Sequence, residues 1–188
     1  MAWYHSLIIG ITGSGKTMLG KTLCAQTAGR TSPHGLRIEA MVLDELMDPE
    51  WKAAGASWVT SDRELFYRTA HDPKNRGCLL LLDESRSRGW EHPEHAEWFA
   101  TQARHWGHSS IFMCQRLIQL HPTIRDNCST WYIFKTSPRD ISTLADELGR
   151  PELLADDLGP GDFYRIRNFQ PTCKYHLDFA TRHVKLIA

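Results

Sequence analysis

Gly10–Thr17 reads GITGSGKT, directly behind the apolar run SLIIGI (Ser6–Ile11). The spacing is G-x-x-x-x-G-K-[ST], the signature of a phosphate-binding loop. A triphosphate needs many donors close to its oxygens, and side chains at every position would hold it off. Glycine lets backbone N–H groups approach. The cradle predicted from this stretch is Gly10, Thr12, Gly13, Ser14, Gly15, Lys16, Thr17 and Met18. In it Lys16 reaches the outer phosphates, and the Thr17 hydroxyl ligates the Mg2+ that bridges them. A helix opening at about Gly15 turns its positive end to the same anion. SLIIGI reads as a buried strand and TMLGKTLCAQTA (Thr17–Ala28) as the helix, the context the motif requires.

Outside this stretch the chain sets bounds. Its 188 residues suit one domain with a sizeable core. Lys plus Arg equals Asp plus Glu, so any nucleic-acid face is local or built by assembly of subunits. The five cysteines, Cys24, Cys78, Cys114, Cys128 and Cys173, form no C-x-x-C pair, which suits a reducing compartment. The first strand begins within a few residues, which leaves no room for a signal peptide. No apolar run approaches the roughly 20 residues that span a bilayer.

Strands and helices alternate along the chain. LRIEAMVLDE (Leu36–Glu45) reads as a strand or the start of a helix, and DPEWKAAGASW (Asp48–Trp58) as a loop. TSDRELFYRTAH (Thr60–His71) is a helix behind a Ser or Thr cap. CLLLLDE (Cys78–Glu84) is an apolar run ending in two acids, as a strand covered on both faces reads. HPEHAEWFATQARHWG (His92–Gly107) is a helix with Pro near its start and Gly at its end. SSIFMCQ (Ser109–Gln115) and STWYIFK (Ser129–Lys135) are strands separated by a short helix or turn, HPTIRDNC. SPRDISTLADELG (Ser137–Gly149) is a helix capped by Ser137 and ended by Gly149. FYRIRNF and KYHLDFAT, in the tail, alternate as strands. The expected fold is α/β: a P-loop NTPase three-layer αβα sandwich, mostly parallel, with a C-terminal antiparallel edge hairpin.

The acids of LLLLDE (Leu79–Glu84) supply what a phosphate loop lacks. At the carboxyl end of a buried strand, Asp83 is placed to hold the Mg2+ shell. Glu84 is the natural general base for a water attacking in line. Gln115, ending SSIFMCQ, suits a sensor of the terminal phosphate. A cation against the developing charge is expected from a neighbouring subunit. Its candidates are Arg104, Arg116 and Arg125, with Arg86 and Arg88 behind them.

In ARHWGHSSIFMCQR (Ala103–Arg116) the chain resembles the FtsK–HerA superfamily of ring-forming DNA-pumping ATPases, whose segment reads ARAAGIHLVLATQR. IRDNCSTWYIFKTSPRDISTLADELG (Ile124–Gly149) is similar to the family's asparagine, strand and D-S-x-x-[IL]-L helix. LGPGDFYRI (Leu158–Ile166) resembles its closing L-G-x-G-D-[FM] turn and strand. The family's Pro after Gln-Arg is replaced by Leu117. The resemblance implies that Lys16 and Thr17 bind ATP and Mg2+ and that Asp83 is the metal-side acid. It also implies that Glu84 is the base, Gln115 the sensor and Arg104 the arginine finger, preferred over Arg125. A motor core with nothing added looks like the genome-packaging ATPases of membrane-containing icosahedral viruses and phages. That resemblance implies a five- or six-membered ring around double-stranded DNA, in the host cytoplasm, engaging a capsid vertex or viral membrane protein. Arg86 and Arg88 are the candidate DNA contacts. QARHWGHSSIFMCQ is similar also to assembly ATPases of filamentous phages, which share an R-H-x-G-x-[DS]-I pattern and usually carry a transmembrane segment.

Other readings are weaker. A nucleotide or small-molecule kinase has the same loop, but it would want an arginine-rich lid and would not need Glu84 after Asp83. The pairs His92/His95 and His105/His108 stand at helical spacing without a completing ligand set. The seven tryptophans read as core and interface anchors.

Overall fold

A computed structural model of the chain describes residues 5–32, 35–84, 90–154 and 158–188. Nine strands form one sheet in the order β3-β2-β4-β5-β1-β6-β7-β8-β9. The first six in that order run parallel: β3 (Trp58–Thr60), β2 (Ala40–Leu43), β4 (Leu79–Leu82), β5 (Ser109–Cys114), β1 (His5–Ile9) and β6 (Cys128–Phe134). Then β7 (Asp162–Arg167), β8 (Cys173–Leu177) and β9 (Val184–Leu186) continue antiparallel. The antiparallel hairpin at the C-terminal edge is present as β7 and β8, and β9 extends it to a three-stranded meander. β8 also stops at Leu177, where the alternation of KYHLDFAT predicts more strand. The reason lies at Asp178, whose Oδ1 accepts the backbone N–H groups of Ala180 and Thr181 and bends the chain into a turn.

Period-two alternation divides the core between the two faces of the sheet. Leu7, Ile9, Leu80, Leu82 and Phe112 face one way, against α3 (Arg63–Ala70), α4 (Pro93–Thr101) and α6 (Pro138–Leu148). Ile8, Val42, Leu81, Ile111 and Met113 face the other, against α1 (Lys16–Thr27) and Trp51 of α2 (Glu50–Ala53). With both faces covered, β2 and β4 can be apolar at every position, AMVL and LLLL. α2 occupies part of the stretch that reads as a loop. Trp51 is fully buried there, and its Nε1 donates to Asp44 Oδ2 at 3.1 Å. α3 is capped by Asp62, which accepts from Leu65 N, not by the Ser or Thr before it. A short α5 (Pro122–Asp126) leads into β6.

Most of the tryptophans are core anchors, as their number suggests. Trp51, Trp90, Trp98 and Trp131 are buried, Trp58 and Trp106 are partly buried against the same core, and Trp3 lies outside the described residues. The buried His108 is structural. Its Nδ1 accepts from Cys78 N and its Nε2 donates to Ala70 O, tying β4 to α3. Burial holds its pKa down at about 4, so it is neutral and this tautomer persists. His95 Nδ1 lies 2.6 Å from Glu64 Oε2. Cys24, Cys78, Cys114 and Cys128 are buried free thiols whose pKa values burial raises.

Gly10 is required by close approach alone. A Cβ on Gly10 would lie 2.7 Å from Phe134 Cβ and 2.6 Å from Ser14 Oγ. Gly10→Ala is expected to destabilise the protein by about 1–3 kcal/mol in denaturant unfolding, because the nearest carbon is fixed on β6.

Candidate active site

The sheet order places four strand ends side by side. β1 lies between β5 and β6, both distant in sequence, and β4 lies beyond β5. At such a reversal of strand order the helices diverge and a crevice opens at the carboxyl edge. The loop from Gly10 to Gly15 rises there from β1. It is anchored by Gly10 N donating to Cys114 O and Ile11 N to Lys135 O, one bond to each neighbouring strand. Gly13 (φ 77°) and Gly15 (φ 114°) carry the left-handed backbone that reverses the chain into α1. Gly15 is the N-cap of α1, so the helix presents its unbonded first-turn N–H groups to the crevice. Thr12 and Gly13 are exposed at the tip, and Ser14 is buried behind it. Met18, in the first turn, packs its partly buried side chain against the core.

Lys16 is 7% exposed and its Nζ donates to Ile11 O of its own loop at 3.0 Å. Burial pulls its pKa below the usual lysine value, against the opposing pull of Glu84 and Asp83. A cation so desolvated gains from a bound anion more than a surface lysine does. Thr17 Oγ1 donates to Asp83 Oδ2 at 3.0 Å, across 66 positions of sequence. Burial lifts the Asp83 carboxyl to about 6, although the bonds from Thr17 and Glu84 N favour its charged form. A buried carboxylate beside a hydroxyl, next to a desolvated lysine, is a donor set of hard oxygens suited to Mg2+. The residues present therefore fit both a polyphosphate and its metal.

Glu84 follows in left-handed backbone (φ 51°), uncommon for a side chain of its size and a mark of constraint at functional sites. Its Oε1 accepts from Gln115 Nε2 at 2.5 Å, so the ends of β4 and β5 are bridged by the two residues that read as base and sensor. Gln115 is itself held: Gln119 Oε1 accepts the backbone N–H of both Gln115 and Arg116.

The arginines divide. Arg125 is ion-paired to Glu147 of α6 and mostly covered. Arg116 Nε donates to Asp140 Oδ2 at 2.6 Å. Arg104 is exposed in a 3-10 turn, Ala103–Trp106, that precedes β5. Gln115 follows that six-residue strand, so at about 3.3 Å per residue Arg104 stands roughly 20 Å from its own crevice, at the opposite edge of the sheet. Arg86 and Arg88 lie outside the described residues.

Two site-edge residues escape the sequence reading. Gln119 is one, and nothing in its surroundings marks it. The other is Asp44, which ends β2 in VLDE (42–45) as Asp83 ends β4 in LLDE (81–84), with Leu43 beside Leu82 in register. That repeat is a legible signal. Asp44 is committed elsewhere, however, accepting from Leu46 N, Asp48 N and Trp51 Nε1. Its charge adds to what raises the Asp83 pKa.

A family model described as zonular occludens toxin (Zot) matches residues 6–138, more than half of the chain. A search of curated protein sequences finds no match. Among solved structures, the genome packaging NTPase B204 from Sulfolobus turreted icosahedral virus 2 in complex with AMPPCP superposes with a TM-score of 0.68 at 16% identity. That match covers 100% of this chain and 98% of the other. The N-terminal domain of zonular occludens toxin from Neisseria meningitidis gives 0.53 at 17% identity, covering 100% and 95%. EssC (ATPases 2 and 3) from Geobacillus thermodenitrificans gives 0.64 at 17% identity, covering 88% of this chain and 38% of that one. At these identities the likeness is one of fold, and the fold is that of the P-loop NTPases.

Proposed function

The chain belongs to the zonular occludens toxin (Zot) family, and from that premise and the geometry above we propose that it is a Mg2+-dependent ATPase. In this reading it works as a ring, moves double-stranded DNA, and packages a viral genome into a preformed capsid. The observation that carries the reading is the convergence of Lys16, Thr17, Asp83, Glu84 and Gln115 on neighbouring strand ends. A nucleotide-binding turn alone would need none of the last three. The likeness in fold to the genome packaging NTPase B204, over nearly the whole of both chains, supports packaging as the role, and that to B204 described as a DNA-packaging ATPase supports DNA as the polymer.

Each side chain has a part. Lys16 and the amide groups of the loop hold the phosphates. Thr17 and Asp83 would hold Mg2+, which when bound offsets phosphate charge and draws the Asp83 carboxyl to its ionised form. Glu84 takes a proton from the water that attacks in line. Gln115, at the end of β5 and bonded to Glu84, is the sensor of the terminal phosphate, and its amide passes that contact to the base. Arg104 completes a site only on a neighbouring subunit, since its own is at the far edge of the sheet. DNA contacts fall on phosphates and ignore sequence, because a pump must pass any sequence.

The test is turnover against DNA. ATP hydrolysis is expected to rise with long duplex, and the stimulation to collapse as salt rises from about 50 to about 200 mM. Hydrolysis indifferent to DNA, with phosphate passed to a small acceptor, would move the chain to the kinases. One observation favours a second reading, an assembly or export ATPase of the filamentous-phage type. The ARHWG segment similar to those proteins lies within the matched residues 6–138. Among the described residues no helix is long and apolar enough to cross a membrane. Stimulation by a phage coat protein rather than by duplex would select that reading.

A further inference from the structure

We propose that Phe179, on the turn between β8 and β9, is the shelf on which the base of the bound nucleotide stacks, so that this site prefers purine over pyrimidine triphosphates. The inference rests on the nucleotide reading of the phosphate loop. Phe179 is 42% exposed, yet its ring lies over the loop: a Cβ on Gly15 would meet Phe179 Cε1 at 2.8 Å. The direction is right for a nucleoside. Asp83 and Glu84 end β4 and Gln115 ends β5, to one side of β1, so the terminal phosphate lies on that side. The sugar and base must then leave the loop on the other side, where β6, β7 and β8 lie and where Phe179 stands.

The turn is built to hold the ring still. Asp178 Oδ1 takes the N–H groups of Ala180 and Thr181, and Asp178 N donates to His183 O. Leu177 N donates to Gly161 O, and Gly161 N donates to Ser14 O of the phosphate loop itself. From the far end of the turn, Arg182 reaches Glu50 Oε2 at 3.3 Å, and Glu50 is paired with the buried Lys21 of α1. The shelf is thus tied both to the phosphate loop, at Ser14, and through Glu50 to Lys21 in the middle of α1. Of the turn's polar side chains, Asp178 and Thr181 bond within the turn and Arg182 is turned to Glu50. What the turn presents is a flat apolar face, which suits stacking rather than readout of base edges, and purines offer more face than pyrimidines.

Base–aromatic stacking predicts that Phe179→Leu lowers ATP affinity roughly 5- to 100-fold. Leucine keeps apolar cover over Gly15 but has no π face. Binding of Mg2+ with ATP, CTP and inorganic tripolyphosphate is measured by calorimetry, on parent, Phe179→Leu, Phe179→Trp and Lys16→Ala. The expected result is weaker ATP binding by Phe179→Leu, unchanged tripolyphosphate binding, loss of the ATP-over-CTP preference, and ATP affinity retained by Phe179→Trp. Equal weakening of ATP and tripolyphosphate in Phe179→Leu would overturn the shelf, reducing Phe179 to packing on Gly15. Unchanged ATP affinity in that variant would overturn it too. The underlying nucleotide reading fails separately, if Lys16→Ala binds ATP and tripolyphosphate as the parent does.

Discussion

Glu84→Gln is expected to bind Mg2+-ATP as the parent does and to hydrolyse it about 10²- to 10⁴-fold more slowly, the range over which a positioned general base contributes. The amide matches the carboxylate in shape and can still bond to Gln115, so the bridge between β4 and β5 survives. The left-handed backbone at position 84 asks no more of glutamine than of glutamate. What is lost is the ability to accept a proton. Single-turnover chemistry with saturating nucleotide separates this from a binding defect. If Glu84→Gln hydrolyses ATP at the parental rate, Glu84 is a bridge and not a base, and the hydrolytic assignment of the LLLLDE acids fails.

Arg104→Ala is expected to cost more, about 10³- to 10⁵-fold in turnover, as trans-acting arginines do in phosphoryl transfer. The position makes the test unusually sharp. Arg104 precedes β5 and Gln115 follows it, so one protomer cannot bring both to one nucleotide. Two inactive proteins should therefore rescue each other. An Arg104→Ala subunit keeps an intact loop and Glu84, and a Glu84→Gln neighbour still lends Arg104. Mixing the two should restore a share of activity that peaks near equal amounts. Turnover of the mixture no better than that of either variant alone would refute an arginine lent between subunits. Full activity of Arg104→Ala by itself would do the same.

The phosphate loop and the two acids are legible because each is a local pattern with a physical cause. Gly10, Gly13 and Gly15 mark backbone that must approach something, and an unbroken LLLL ending in acids marks a covered strand with charge at its exit. Gln115 is legible by the same logic at the end of β5. The turn at Phe179 reads as strand, since alternation in KYHLDFAT does not reveal that the Asp178 side chain takes its own downstream amides. α2 is hidden because its four residues are held by Trp51 packing rather than by helical periodicity.

By itself, the sequence determined the phosphate-loop spacing between β1 and α1, the long apolar strands and helices with clear caps, and which carboxylates stand at a strand exit. Those depend on spacing within a few residues, where backbone geometry is short-ranged. Only the tertiary structure decided that Thr17 meets Asp83, that Gln115 meets Glu84, that Asp44 is occupied elsewhere, and that Arg104 stands at the far edge. Those depend on strand order, which is set by how apolar faces of distant segments bury one another, and no local pattern encodes that choice.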